Sequence, residues 1–304
     1  MKGKRSNCSR TFSRPRKKRY DLRAHRERAA AGKVVRVKIL VIGDAMRDEY
    51  WTGFARRLSP VAPVPVISVT HREERPGAAA NVAANIEAMG VPCERIYGGG
   101  ERIRKITVTA GQHVVRLDFD APQRAIEPDA AFMEALGRCD LVVALDYGKG
   151  SLANIAALIQ ADKGKPFLID PKGHDYAKYR GAALLKPNRD EMRELVGGWG
   201  SREEMDYKAR QFLHQSGVGS ILLTQAADGM TLYTRTDTLH QEAENRAPVD
   251  VSGAGEAALS AYAAALARGY IATACFLYAN KAAGIAITRH GTTVCTQEEV
   301  FGTG

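Results

Sequence analysis

The chain has 304 residues, 45% of them hydrophobic, so it can bury the core of one large or two modest domains. No apolar run approaches the ~20 residues of a membrane-spanning helix, and the five cysteines form no Cys-x-x-Cys pair. These features argue against a helical membrane protein and a zinc site, and we expect a cytoplasmic protein with no membrane partner.

The net charge of +10 is concentrated at the amino terminus. Residues 1–33 contain 13 of the 44 Lys and Arg residues and two of the 34 acidic residues, whereas the rest carries 31 basic and 32 acidic residues. We expect residues 1–33 to be a disordered basic tail and residues 34–304 to form the folded domain. The tail could bind nucleic acid or another polyanion, act as a targeting segment, or be a solvated extension without a partner.

The folded part opens with a short apolar run, VKILVIG, at residues 37–43. Its β-branched residues predict a buried first strand. Asp44 and Asp48 follow this strand, and ligands of α/β proteins bind at the carboxyl ends of strands. Either residue could therefore contact a ligand, or they could be a helix cap and a surface acid.

Two stretches predict a small sheet, or lid, built from residues of about 50–70 and 103–119. Residues 61–70 alternate after two prolines, which favours an edge strand. Residues 103–109 and 113–119 flank a turn containing Gly111 and predict a hairpin.

Between these stretches, ERPGAAAN at residues 74–81 leads into a predicted helix. Val82, Ile86 and Met89 lie on one face of that helix. Asn81 is unusual among alanines, because its amide competes with the helix backbone. It could face a ligand or make a hydrogen bond at the helix start.

The centre of the chain alternates strand and helix patterns. We predict strands at residues 141–145, 167–170, 184–186 and 220–224, and helices that begin at Ser151, Arg189 and Ser201. This βαβ rhythm is typical of a parallel sheet covered on both faces by helices. Polar residues follow the strands: Asp146, Asp170 with Lys172, and Asn188 with Glu191.

Residues 248–269, PVDVSGAGEAALSAYAAALARG, predict a strand end, a glycine-containing loop and a helix. Gly253, Ala254 and Gly255 would let the backbone approach an anion, where N–H groups and the helix dipole converge. Glu256 in the first turn would repel a resting phosphate unless it took a proton from a second group, which indicates phosphoryl transfer to a hydroxyl. Alternatively, the loop is an ordinary turn and Glu256 a favourable first-turn charge.

A last helix is predicted at residues 272–288. Small residues in its middle, among them Gly284, permit close approach of a flat ligand or of another helix.

Seven motifs in this order resemble the ribokinase or PfkB family of sugar kinases: VIGD, ERPGAAAN, RLDF, IDPKG, KPNRDE, TQAADGM and DVSGAGE. The resemblance covers residues 38–300. The ERPG and DPKG segments, with LSP and APVPV at residues 58–60 and 62–66, are more similar to the family's heptose 7-phosphate kinases than to its other sugar kinases. The resemblance implies a three-layer α/β/α sandwich with a mostly parallel sheet, a reduced β lid, and transfer of the γ-phosphoryl group of ATP, with Mg²⁺, to a sugar hydroxyl.

The resemblance also implies roles for individual residues. By resemblance, the acceptor would be the C1 hydroxyl of D-glycero-D-manno-heptose 7-phosphate. This sugar phosphate would contact Asp44, Asp48, Arg75, Gly77, Asn81, Arg116, Lys172 and Asp250. ATP would contact Lys186, Asn188, Glu191, Thr224, Gly229, Asn280 and Gly284, with Mg²⁺ ordered through water by Asn188 and Glu191. Gly253, Ala254 and Gly255 would form the anion hole, and Glu256 would be the catalytic base. A homodimer through the lid is a further expectation.

Several features depart from the family pattern. Glu256 replaces the usual Asp, Ala78 replaces a glycine, the segment between Val91 and Ile103 is short, and Lys281 adds a charge near the expected adenine site. One alternative is therefore a non-catalytic binding module whose basic tail engages nucleic acid or another partner. A second is a kinase for another sugar, such as ribose or fructose.

Overall fold

The computed structural model describes residues 37–162, 164–244 and 248–302, and the basic tail therefore lies outside the described residues. Within these ranges the chain forms two β-sheets. The strands are β1 (Ile39–Gly43), β2 (Ala45–Leu58), β3 (Pro65–Ala78), β4 (Cys93–Tyr97), β5 (Ile103–Thr109), β6 (His113–Phe119), β7 (Leu141–Leu145), β8 (Phe167–Asp170), β9 (Leu184–Leu185), β10 (Ile221–Thr224), β11 (Met230–Tyr233) and β12 (Thr238–Gln241).

The large sheet has eight strands in the order β12-β11-β10-β9-β8-β7-β1-β4. Six strands of this sheet pair in parallel: β10, β9, β8, β7, β1 and β4. Strand β11 pairs antiparallel with β10, and β12 pairs antiparallel with β11. The carboxyl ends of the parallel strands consequently meet at one edge, which is where the polar residues predicted from the sequence follow β1, β7, β8 and β9.

Helices cover both faces of this sheet. They are α1 (Ala79–Ala88), α2 (Ala130–Arg138), α3 (Ile155–Ala161), α4 (Arg189–Val196), α5 (Arg202–Ser216), α6 (Ala254–Ala267), α7 (Ala272–Ala286) and α8 (Gln297–Phe301). None of the helices in the described ranges is both long and apolar enough to cross a membrane.

Strand β1 shows how one apolar run serves two cores. Ile39 and Val41 pack into the cluster that contains α1, α6 and α7, whereas Leu40 and Ile42 pack into the cluster formed with α2 to α5. All four side chains are fully buried. Alternate side chains of a strand face opposite sides, so a sheet with helices on both faces needs apolar residues at every position. The predicted three-layer α/β/α sandwich is confirmed.

The lid is a four-stranded sheet in the order β3-β2-β5-β6. The predicted hairpin is β5 and β6, and the predicted edge strand is β3, although it runs over Pro65–Ala78 rather than residues 61–70. Pro65 stands first in the strand, where its missing N–H removes no ladder bond. The short connection between β4 and β5 contains Gly98, Gly99 and Gly100, and it leaves β4 as an edge of the large sheet.

Two local predictions need correction. The helix expected from Ser151 begins at Ile155, because residues 151–154 form a turn. The strand expected to reach Lys186 ends at Leu185. Ala78, the residue in a usual glycine position, has a φ of 50°, a backbone region that alanine rarely adopts.

Candidate active site

The first turn of α6 lies at the centre of the candidate site. Gly253 precedes the helix with a φ of 74°, a left-handed conformation that glycine adopts at little cost. The helix then leaves its first backbone N–H groups pointing outward, and its dipole adds a partial positive charge. This combination favours a bound anion such as a phosphate.

Glu256 is in this first turn and is only 8% exposed. Its Oε1 accepts a hydrogen bond of 2.7 Å from the Tyr147 hydroxyl, and its Oε2 accepts one from Asn81 Nδ2. Burial raises the pKa of Glu256 to about 6, while the bonds from Asn81 and Tyr147 act in the opposite direction. The carboxylate is therefore ionised at pH 7 but close enough to its pKa to accept a proton.

Asp48 and Gly77 lie on neighbouring lid strands beside Glu256. A Cβ at Gly77 would lie 2.7 Å from Asp48 Oδ2, so only glycine accommodates the carboxylate there. Burial raises the pKa of Asp48, and the Lys105 ammonium opposes that shift. Asp48 in turn raises the pKa of Glu256. The structure thus brings Asp48, Gly77, Asn81 and Glu256 together.

Asn81 connects this group to the anion loop. It is 1% exposed, and a Cβ at Gly253 would lie 3.6 Å from its Nδ2. Its Oδ1 accepts a bond of 3.1 Å from Asn85 Nδ2, which directs the Asn81 amide nitrogen toward Glu256. In the part of the chain that the structure describes, no side chain makes a capping hydrogen bond at the start of α1, so the helix-start bond offered for Asn81 is not formed, and the side chain turns to Glu256 instead.

Asp44 differs from its expected role. Its carboxylate has no exposed surface and accepts backbone N–H bonds from Tyr147, Lys149 and Ser151 at 3.0, 3.1 and 3.2 Å. Rather than facing a sugar directly, it fixes the loop at residues 147–151. That loop carries the tyrosine that contacts Glu256.

Arg75 joins the lid to the loop at residues 290–292. Its guanidinium donates to the carbonyls of His290 and Thr292 at 2.6 and 2.9 Å, and it pairs with Glu73. Asp250 fixes the same loop by accepting the Gly291 N–H at 2.9 Å. These two residues, expected to bind the acceptor, border the site and shape its wall.

The other two cations predicted for the acceptor phosphate lie in separate places. Arg116 is on β6 of the lid, pairs with Asp118 at 2.7 Å, and opposes the raised pKa of Asp48. Lys172 donates to Glu191 at 2.9 Å and lies on the side where ATP is expected.

Lys186 is a buried cation beside the anion loop. It is 4% exposed, its Nζ lies 3.0 Å from Asp170 Oδ1, and a Cβ at Gly255 would lie 3.0 Å from the same Nζ. Burial raises the pKa of Asp170, and Lys186 opposes that shift. An ammonium held at this point adds to the positive potential at the start of α6.

Asn188 and Glu191 form a capping box at the start of α4. Asn188 Oδ1 accepts the Asp190 and Glu191 N–H groups at 2.9 Å, and Glu191 Oε2 accepts the Asn188 N–H at 2.9 Å. Glu191 is 7% exposed. Among the described residues, no group of three or more His, Cys, Asp or Glu side chains is arranged to hold a metal ion.

Three residues predicted for the nucleotide lie at the end of β10, in the turn before β11 and on α7. Thr224 pairs with Asn188 in an isolated parallel β-bridge. Gly229 has a φ of 81° and no space for a side chain, since a Cβ would lie 2.1 Å from the Gln241 carbonyl oxygen. Asn280 donates to the Glu242 carbonyl at 3.1 Å.

Two residues of α7 show what its small side chains accommodate. A Cβ at Gly284 would lie 3.1 Å from Glu244 Cβ, so the chain segment at residues 242–244 approaches this helix closely. Lys281 donates to the Val300 carbonyl at 2.8 Å, which directs its ammonium to α8.

Tyr147 is the site residue that the sequence reasoning missed. Its neighbour Asp146 was singled out because it follows β7, but Asp146 accepts bonds of 2.7 Å from Lys178 and Tyr179. The signal available in the sequence was an aromatic residue with a polar tip at the carboxyl end of a buried strand.

Comparisons with known proteins identify similar sequences and similar folds. A profile of the pfkB family carbohydrate kinases matches residues 130–299. The chain is 36% identical to a D-beta-D-heptose 7-phosphate kinase of Bordetella bronchiseptica, over 90% of this chain and 97% of that protein. It is 38% identical to the bifunctional protein HldE of Pseudomonas fluorescens, over 86% of this chain but only 62% of HldE.

Solved structures show the same fold at low sequence identity. A ribokinase of Thermotoga maritima, with 16% identity, has a TM-score of 0.71 and matches 87% of this chain and 98% of its own. An Arabidopsis thaliana ribokinase complexed with ribose and ATP, with 17% identity, has a TM-score of 0.69 over 87% of this chain and 97% of its own. Together with the sequence matches, these likenesses show that the chain belongs to the pfkB family of carbohydrate kinases.

Proposed function

We propose that this kinase transfers the γ-phosphoryl group of ATP to the C1 hydroxyl of D-glycero-D-manno-heptose 7-phosphate. The observation that carries the proposal is the placement of a buried carboxylate, Glu256, in the first turn of the helix whose amino terminus favours a phosphate. The substrate class is supported by the sequence similarity to proteins named for heptose 7-phosphate. The comparisons give no support to a non-catalytic module.

Glu256 acts in this proposal as the general base. With a pKa of about 6 it is ionised at neutral pH and can take the proton of an acceptor hydroxyl as the new O–P bond forms. Asp48, Gly77 and Asn81 hold the sugar with that hydroxyl toward the start of α6. Arg116 is the lid cation available to the acceptor's own phosphate.

The backbone at residues 253–255 and the Lys186 ammonium stabilise negative charge on the transferring group. Because this charge grows as the bond to ADP breaks, donors already fixed in place lower the barrier without reorganising. The 3.0 Å pair with Asp170 holds Lys186 in position for that role.

ATP would lie along Asn188, Glu191, Thr224, Gly229, Asn280 and Gly284. Mg²⁺ keeps several waters and takes one or two carboxylates together with substrate phosphates, and the Glu191 carboxylate beside Asn188 fits such a water-mediated site. When bound, the ion would neutralise phosphate charge and orient the transferring group.

Further expectations concern the whole chain. A homodimer through the lid is consistent with the exposed apolar side chains there: Phe54, Leu58, Val61, Val64, Val115, Leu117 and Phe119. Sedimentation at several protein concentrations tests this expectation, and a monomer throughout would contradict it. A cytoplasmic location and polyanion binding by residues 1–33 also stay predictions.

The function is tested by ATP consumption with heptose 7-phosphate as acceptor, with the wild type compared to Glu256→Gln. We expect turnover that falls about 10²- to 10⁴-fold in the variant, the range supplied by a general base. Equal turnover in both proteins would exclude Glu256 as the base. Fructose 6-phosphate and ribose serve as alternative acceptors, and a higher kcat/KM with either would overturn the heptose assignment.

A further inference from the structure

Tyr147 connects three parts of the molecule. Its backbone N–H donates to the buried Asp44 carboxylate at 3.0 Å, which fixes the start of its loop. Its ring packs against a small apolar cluster at the base of the lid, formed by Met46, Ala78 and Ile103. Its hydroxyl donates to Glu256 Oε1 at 2.7 Å.

The lid also supplies a cation to this ring. Lys105 Nζ on β5 lies 5.3 Å from the centroid of the Tyr147 ring, within the range of a cation–π interaction. Movement of β5 relative to the large sheet would therefore displace both the ammonium and the apolar contacts of this tyrosine.

The two oxygens of Glu256 are held by donors from different elements, Tyr147 from the loop after β7 and Asn81 from α1. A Glu side chain has one more rotatable bond than Asp, so a single donor would leave its carboxylate free to rotate. Two donors fix its plane and leave further lone pairs for an incoming hydroxyl.

We propose that Tyr147 is a positioning residue that orients the Glu256 carboxylate and links it to the lid. The inference rests on the proposed function of Glu256 as the base. A phenol hydrogen bond to a carboxylate favours the charged form, and Tyr147 supplies that bond.

Burial and the neighbouring Glu256 carboxylate raise the pKa of Tyr147 well above its usual value, so the hydroxyl stays protonated and can only donate in this contact. Other charged groups face the pair from neighbouring elements: Asp48 on β2, Lys105 on β5, Asp170 on β8, Lys186 after β9 and Glu191 on α4. Asp48 and Asp170 raise the pKa of Glu256, so losing the tyrosine donor would leave that effect less opposed.

The test compares pH profiles of kcat/KM for the full chain and Tyr147→Phe, with ATP and heptose 7-phosphate. Phe keeps the ring and its apolar contacts and removes only the donor. We expect the acid limb to move up by about one pH unit, with an activity loss that is largest near pH 6 and partly recovered near pH 8. A uniform loss at every pH would mean a merely structural role and overturn the proposal.

The matched control is Tyr233→Phe. Tyr233 is fully buried on β11 and donates to Asp206 at 2.9 Å, away from the site. The acid limb of kcat/KM for Tyr233→Phe should stay at the wild-type pH. A similar shift in this control would show that removing the hydroxyl of any buried tyrosine moves the pH profile, and this would contradict a specific role for Tyr147.

A stability cycle gives a readout without catalysis. Thermal midpoints of the wild type, Tyr147→Phe, Glu256→Gln and the double variant are compared at pH 5 and pH 8. We expect the loss caused by Tyr147→Phe to be larger at pH 8, where Glu256 is ionised, and this pH difference to disappear when Tyr147→Phe is combined with Glu256→Gln. A pH-independent loss that is equally large in the Glu256→Gln background would overturn the proposal. If no sugar phosphate is turned over, the proposed function fails, and this cycle still decides the role of Tyr147.

Discussion

Among single residues, Glu256 is one methylene longer than the Asp that the family resemblance places at this position. The structure compensates by bringing Asn81 and Tyr147 to the two oxygens of Glu256. The length of the Glu256 side chain therefore matches the positions of Asn81 and Tyr147. A shorter acid at this position would lose both partners and withdraw from the acceptor.

We therefore predict that Glu256→Asp lowers kcat. The carboxylate would retreat by about 1 Å, and a displacement of that size can cost ~10²-fold in rate. Steady-state kinetics with the same acceptor measure the change. Activity at or above the wild-type level would show that the pocket is built for Asp and that the contacts to Glu256 are incidental.

Burial of Glu256 also predicts a pH-dependent stability difference. Its pKa in the folded state is raised from the ordinary 4.5 to about 6, so its stabilising contribution is complete below pH 4.5 and is lost as the pH rises through 6. Relative to Glu256→Gln, the wild type should lose about 2 kcal/mol between pH 4.5 and pH 7.5. Urea denaturation at several pH values measures this, and a constant difference would contradict the raised pKa.

Ala78 offers a third test at this scale. Its φ of 50° is strained for alanine, at a cost of about 1–3 kcal/mol, and Gly would relieve that strain. We expect Ala78→Gly to change the unfolding free energy by less than about 1 kcal/mol, since strain relief offsets the lost methyl and added chain entropy. The control Ala83→Gly, in α1 and fully buried, should cost about 1–2 kcal/mol. Equal losses would mean that Ala78 is unstrained.

At the scale of elements, local patterns predicted much of the fold. Strands β7 and β8 have the predicted bounds because each is a continuous apolar run ended by an acid or proline. Strand β3 begins at Pro65 rather than at Val61, because residues 61–64 belong to the turn between β2 and β3. The sequence reasoning missed the bonds from Asp44 to the loop at residues 147–151 and the contact between Tyr147 and Glu256 for the same reason. Both join residues about a hundred positions apart, which no local pattern encodes.

In the wild type, the two carboxylate oxygens of Asp44 accept three backbone N–H groups of the loop at residues 147–151. In Asp44→Asn only one side-chain oxygen would remain, so buried N–H donors would lose their acceptor. We predict a loss of about 2–4 kcal/mol in stability together with lower kcat. The control Asp140→Asn, whose exposed carboxylate accepts one N–H from Lys38 at 2.9 Å, should cost less than about 1 kcal/mol. Equal costs would contradict the role given to Asp44.

At the scale of the whole molecule, the lid is joined to the large domain on two sides of the site. Arg75 and Tyr50 hold the loop at residues 290–292, and the Thr292 N–H donates to the Tyr50 hydroxyl at 2.8 Å. On the other side, Lys105 covers the ring of Tyr147. The lid therefore contacts both the wall of the site and the residue that orients its base, and the sugar would lie between these contacts.

The pH profile of kcat/KM reports whether Glu256 takes a proton from the acceptor hydroxyl. For the wild type we expect activity that rises through an acid limb with a midpoint near pH 6, the pKa of Glu256. In Glu256→Gln the remaining activity should lack that limb. A wild-type profile that is flat down to pH 5, or a limb that survives in the variant, would contradict this role of Glu256.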